Sequence, residues 1–122
     1  MPTWLTGDKE DEAMAVDKTL LSGSMTMLLL KLLEEKDMYG YEMIDTLRKK
    51  SNNVFELKAG TLYPLLHSLE SKGLLTSYEQ EFAGKVRKYY SITKEGKGVL
   101  EKKKSEWNEY QAAVSCVLAF NF

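Results

Sequence analysis

The hydrophobic period of this chain changes at Gly73 and changes back at Lys94, and few folds accommodate that order. Before Gly73, apolar residues recur every three or four positions. Leu21, Met25, Leu28, Leu29, Leu32 and Leu33 mark a first helix over 19–36, and Met43, Ile44 and Leu47 a shorter second one from about Gly40 to Lys50. In a third, from about Ala59 to Lys72, Leu62, Leu65, Leu66 and Leu69 form an i, i+3, i+4, i+7 stripe. Over 74–93 the pattern moves toward alternation. Leu74, Tyr78 and Phe82 fall on one side of a first strand, Val86, Tyr90 and Ile92 on its partner, and Ala83-Gly84 supplies the turn. From Lys94 to about Leu118 the helical spacing returns, with Leu100, Trp107, Tyr110, Val114 and Val117 separated by threes and fours apart from a break at Lys103. That is a heptad seam.

Local signals agree with these boundaries. Arg48, Lys49 and Lys50 suit the negative end of the second helix, and Ser51, Asn52 and Asn53 break it. Gly73 is a natural stop for the third. Pro64 cannot donate to the carbonyl four residues back, so it belongs near the first turn and sets the start near Gly60. Thr93 is a plausible N-cap for the last helix.

Three helices, a hairpin and a long final helix predict a mainly α (α+β) fold: a winged helix-turn-helix with a two-stranded wing and a long C-terminal dimerisation helix. At 122 residues one core must serve the whole chain. The expected organisation is a mobile acidic tail over 1–18, with a short helical turn near Asp11 to Val16, then a DNA-binding domain over 19–93 and the dimerisation helix over 94–122.

Several function classes drop out. Cys116 has no second cysteine to pair with, and with His67 as the one histidine no zinc cluster can form, so neither metal nor cofactor is expected. No carboxylate pair, nucleophile with a base, or phosphate loop suggests an enzyme. No apolar run approaches the roughly 18 residues of a membrane span, and the first residues are acidic, unlike a secretory signal, so a cytoplasmic location is expected.

Four segments carry a family resemblance. Tyr39-Gly40-Tyr41-Glu42 opens the second helix. Gly60-Thr61-Leu62-Tyr63-Pro64-Leu65-Leu66, with Leu69-Glu70, forms the third, and Gly73-Leu74 follows it. Arg87-Lys88-Tyr89-Tyr90-Ser91-Ile92-Thr93-Lys94-Glu95-Gly96 leads into the last helix. In that order and spacing the chain resembles the PadR family of bacterial transcriptional regulators, and its length resembles the short subgroup with one C-terminal helix, which includes phenolic-acid and multidrug responsive repressors. The resemblance implies a ligand-responsive repressor. In multidrug-binding relatives a C-terminal tryptophan stacks on planar ligands across the dimer axis, and Trp107 matches it, which implies a small aromatic or planar effector. Lys103 and Lys104 stand where apolar neighbours are usual in those relatives.

In a helix-turn-helix the second of the paired helices enters the major groove. Here that is the third helix. With the leucine stripe inward, Gly60, Pro64, His67 and Ser71 lie outward, flanked by Thr61, Tyr63 and Ser68. Thr61 can donate, accept or touch a thymine methyl, whereas Pro64 offers only apolar contact, so direct readout is sparse and DNA shape gains weight. Tyr63 suits either phosphate contact or packing on a neighbouring helix, and His67 either DNA contact or plain exposure. Tyr39 and Gly40 begin a helix whose positive end can hold a phosphate or simply form a tight turn. Lys85, Arg87 and Lys88 lie on the wing, where they add sequence-independent charge. Arg87 and Lys88 sit on opposite strand faces, so only one of them is expected to reach a phosphate.

Net charge is -1, which taken alone opposes nucleic-acid binding. Distribution changes that: Asp8, Glu10, Asp11, Glu12 and Asp17 outnumber Lys9 at the start, while eight basic residues between Lys85 and Lys104 face only Glu95 and Glu101. Leu100, Trp107, Tyr110, Val114 and Val117 are the expected interface of a homodimer on a pseudo-palindromic double-stranded operator. The competing expectation is a winged-helix protein–protein interaction module without DNA binding.

Overall fold

The computed structural model describes residues 18–119. The tail expected over 1–18, and its helical turn, lie outside these residues except for Lys18. In chain order the elements are α1 (Lys18–Glu35), β1 (Met38–Tyr39), α2 (Gly40–Lys50), α3 (Ala59–Ser71), β2 (Leu75–Phe82), β3 (Lys85–Ile92) and α4 (Lys94–Ala119).

α1 is the centre of the fold. Leu29, Leu30, Leu32 and Leu33 are all buried, because α2, β3 and the start of α4 pack around it. Met38, Met43, Leu47, Leu57, Leu62, Leu66, Leu69, Leu75, Tyr90 and Leu100 complete the same core, with Leu65 partly buried beside them. Each buried leucine contributes on the order of 1.5–3 kcal/mol relative to exposure. The apolar stripes therefore set how α2, β3 and the start of α4 dock on α1, and how α3 docks on α2 and β2.

The caps show why each element ends where it does. Gly73 takes φ +77°, its N–H donates to the Glu70 carbonyl, and the Leu74 N–H donates to Leu69. This is a Schellman cap, in which a left-handed glycine turns the chain out of α3. Pro64 lies in the second turn of α3, whose start at Ala59 is one residue before Gly60; Thr61 and Leu62 both donate to the Lys58 carbonyl. The proline withholds a donor from the Gly60 carbonyl alone, and Gly60 is exposed, so the cost is small. Thr93 caps α4 as its position predicts: its Oγ1 accepts the Gly96 N–H at 3.0 Å and donates to the Gly73 carbonyl at 2.7 Å. One side chain thus joins the end of α3, the base of the hairpin and the start of α4.

The sheet differs from the expectation in two ways. It has three antiparallel strands in the order β1-β3-β2, because Met38 pairs with Tyr90 and Tyr39 with Tyr89. A two-residue strand is too short to show alternation. In addition, the buried face of β2 begins at Leu75, which pairs with Ile92, and continues at Ser77, which pairs with Tyr90. Leu74 is consumed by the α3 cap, so Tyr78 and Phe82 lie on the sheet face opposite Tyr90 and Ile92. Ala83 and Gly84 join the strands with φ +54° and +80°, the two left-handed residues of a type I′ turn.

Candidate nucleic-acid interface

With Leu62, Leu66 and Leu69 buried, α3 presents Gly60, Thr61, Pro64, His67 and Ser71 to solvent, Ser68 half-buried at the margin. Tyr63 leans back toward α2. Its ring covers Gly40 so closely that a Cβ there would overlap the ring and its hydroxyl, and it meets the Tyr41 ring edge-on at 6.5 Å. The packing expected of Tyr63 is present, and 40% of the residue stays exposed. Burial, helped by Tyr41 and Tyr90, pushes its phenol above the ordinary tyrosine range.

Beside Tyr63 lies an open hollow of about 550 Å³ lined by Tyr39, Gly40, Tyr41, Tyr63, Lys85, Arg87, Lys88 and Tyr90. It gathers six of the ten residues expected to meet DNA. Tyr39 is the N-cap residue of α2, with extended backbone and no side-chain capping bond, so the positive end of that helix is offered at the hollow's wall. Arg87 lies over the Tyr39 ring at 4.5 Å, Tyr39 meets Tyr89 edge-on at 5.5 Å, and Tyr89 stacks on Tyr78 at 5.8 Å. The Tyr78 hydroxyl donates to Asp37 at 2.6 Å, which fastens the base of the wing to the loop before β1.

Arg87 and Lys88 do point to opposite faces of the ribbon, as strand alternation predicts. Lys88 lies 5.5 Å over the Tyr90 ring and 3.9 Å from Glu70, which also accepts from Ser77. Lys85 and Arg87 have no carboxylate partner among the described residues. Other cations do: Asp45 holds Arg48 and Lys49, Glu35 holds Lys50, and Glu42 holds Lys36. The basic stretch from Lys85 to Lys104 is divided as well. Lys97 and Lys104 act on Glu34 of α1, whose carboxyl Lys31 chiefly holds below its usual range.

The sequence reading did not single out Tyr41 and Tyr90 as lining residues, nor Tyr89 as the link between Tyr39 and Tyr78. Tyrosine on both sides of Gly40 and the Tyr89-Tyr90 pair were the available signals. One expectation for the last helix needs correction. Leu100 is fully buried in the protomer's own core, because it faces α1 in the second turn of α4, and so it cannot face a partner. Beyond Ser105 every described residue of α4 is exposed, a rod of about 22 Å by helical rise. It carries Trp107 and Tyr110, their rings 6.3 Å apart, then Val114, Val117 and Leu118, the last two 76% and 80% exposed.

A helix-turn-helix made of α2 and α3, followed by a cationic hairpin packed on the same core, defines a winged-helix DNA-binding protein. Residues 29–102 match the Transcriptional regulator PadR-like family, and the chain belongs to that family. It is similar to the uncharacterised protein X of Lysinibacillus sphaericus, 35% identical over 81% of this chain and 92% of that one. Among solved structures it resembles a PadR family transcriptional regulator from Eggerthella lenta, with TM-score 0.75 and 37% identity over 84% of this chain and 88% of that one. A transcriptional regulator from Clostridium thermocellum matches with TM-score 0.75 and 34% identity, over 80% and 96%. The protein is therefore a DNA-binding transcriptional regulator and not an enzyme. No helix among the described residues is long and apolar enough to cross a membrane.

Proposed function

We propose that the protein is a homodimeric, ligand-responsive repressor that holds a pseudo-palindromic operator with α3 in the major groove and the hairpin along the adjoining backbone. The hollow carries this reading. Tyr39, Gly40 and Tyr63, with Lys85, Arg87 and Lys88, offer a helix N-terminus, a protonated phenol and three cations to one open space beside the exposed face of α3. Thr61, Pro64, His67 and Ser68 are the α3 residues assigned to the groove. Because they provide few base-specific donors, backbone and shape contacts supply much of the affinity. Lys88, shared with Glu70, contributes less than Arg87.

Trp107, Tyr110, Val114 and Val117 form the dimer seam, since an exposed apolar helix of this length has no cover within the protomer. Two-fold symmetry then spaces the α3 helices by about 34 Å, one turn of DNA. A planar aromatic effector on Trp107 shifts the population between subunit spacings, and so changes operator affinity. The work is done in the cytoplasm, where the bacterial chromosome lies.

The test is selection of duplexes from a random pool by the intact protein, then affinity by fluorescence anisotropy across a salt series. Inverted half-sites about ten base pairs apart and a steep salt slope are expected. Half-sites without symmetry, or a complex containing one protomer, would remove the dimeric reading; no salt-dependent duplex binding would remove the interface itself.

A further inference from the structure

Resting on the DNA-binding reading above, with the wing lying in the minor groove beside α3, we infer that Phe82 at its tip is an apolar wedge, with Gln80 and Lys85 facing the base edges, so that the protein selects A·T-rich flanks. The register sorts the ribbon into two unlike faces. Phe82 pairs with Lys85 and Gln80 with Arg87, and these four share one face. Glu81 pairs with Val86 and Glu79 with Lys88, and these share the other. The first face carries two cations, an amide and no carboxylate, the second two carboxylates against one lysine. The first is the face better suited to a polyanion.

Position supports the same choice. From Glu79 to Val86 every residue is exposed, so the tip stands about 13 Å beyond Tyr78 by strand rise. The two-residue turn keeps it narrow. Phe82, at the end of the strand, is 64% exposed. Farther down the same face Arg87 lies over Tyr39 at the wall of the hollow, so the cationic face is continuous with the proposed phosphate site. A minor groove about 6 Å wide excludes a whole ribbon but admits side chains from its tip. Proteins that use it combine arginine, lysine, asparagine or glutamine with an apolar residue that enters a base step. Phe82, Lys85, Gln80 and Arg87 are that set. The amino group of guanine projects into this groove and obstructs such an approach, which gives the A·T preference.

The test uses the intact protein and duplexes it has enriched from a random pool, rebuilt with A·T, G·C or inosine·C flanks. Inosine·C keeps the major-groove face of G·C but lacks the minor-groove amino group. Wild type should bind A·T and inosine·C flanks about equally, and G·C flanks about ten-fold more weakly. Phe82→Ala should lose about ten-fold on A·T flanks, as expected for exposing part of a phenylalanine, and little on G·C flanks. Phe82→Leu should keep most of the preference, and thermal melts would confirm that both variants fold. Three results overturn the proposal: inosine·C behaving like G·C, Phe82→Ala weakening all flanks equally, or no effect of Phe82→Ala. If wild type binds none of the duplexes, the DNA-binding surface itself fails, a different outcome from tight binding without flank preference.

Discussion

Gly40→Ala separates the contact that closes the hollow from the general stability of α2. A Cβ at residue 40 would overlap the ring and hydroxyl of Tyr63. The ring is the part that can yield, because it is partly exposed and free to turn outward, whereas residue 40 is fixed at the start of α2. Turning out forfeits on the order of 50 Å² of apolar contact, or about 1–1.5 kcal/mol. Alanine returns up to about 1 kcal/mol of helix propensity in a helix interior, and less at a first position. The net cost in the wild-type background is therefore about 0.5–1 kcal/mol. With Tyr63→Ala the obstruction is gone, and the same substitution should stabilise by a few tenths of a kcal/mol. The predicted coupling is about 1–1.5 kcal/mol, within the range for residues in contact. Urea melts of the four proteins at one concentration measure it, the fixed concentration removing any contribution from dimerisation. In parallel, Gly40→Ala should weaken DNA binding about as much as Tyr63→Ala, with no further loss in the double variant. An equal cost of Gly40→Ala in both backgrounds would refute the reasoning, since the alanine would then be meeting something other than the ring.

Changing Lys85, Arg87 and Lys88 together to alanine should weaken binding on every duplex, most on A·T-rich flanks, and reduce the salt slope by about 0.9 for each phosphate contact removed; alone, Arg87→Ala should cost more than Lys88→Ala in an anisotropy titration. Leu100→Ala should destabilise the protomer by about 2–5 kcal/mol in urea melts while leaving the sedimenting mass dimeric. Trp107→Ala with Val114→Asp should do the reverse, giving folded monomers by sedimentation. Thr93→Ala removes the cap of α4 and the bond to the Gly73 carbonyl, and should cost about 1 kcal/mol or somewhat more in the same melts.

How much of this was legible in the sequence depends on the range of the interactions involved. The helices, the hairpin and the Thr93 cap follow from spacing and from single residues whose chemistry acts within one turn. The phase of β2 was misread because Leu74, apolar and next to a strand, is used by the helix cap before it; two local rules compete there and the cap prevails. Strand β1 escaped because its two residues derive their structure from pairing with Tyr89 and Tyr90, some 50 positions away. Leu100 fits the heptad spacing as well as Val114 does, and only the packing of α1 distinguishes them. The same holds for the hollow. Tyr39, Tyr63 and Arg87 were each singled out for separate reasons, and their convergence is a property of the fold.

A net charge of -1 counts every carboxylate against every cation wherever they lie in the fold. Lys31 of α1, Arg48, Lys49 and Lys50 of α2, and Lys36 between them stand within salt-bridge distance of carboxylates on these two helices and add little net field outward. On the ribbon, strand alternation separates the signs, turning Glu79 and Glu81 away from Lys85 and Arg87. What a duplex meets is therefore a positive face on a chain that is nearly neutral overall. The proposed dimer would double that face while leaving each copy unchanged, so the spacing between two modest surfaces, more than the strength of either, would decide whether an operator is held.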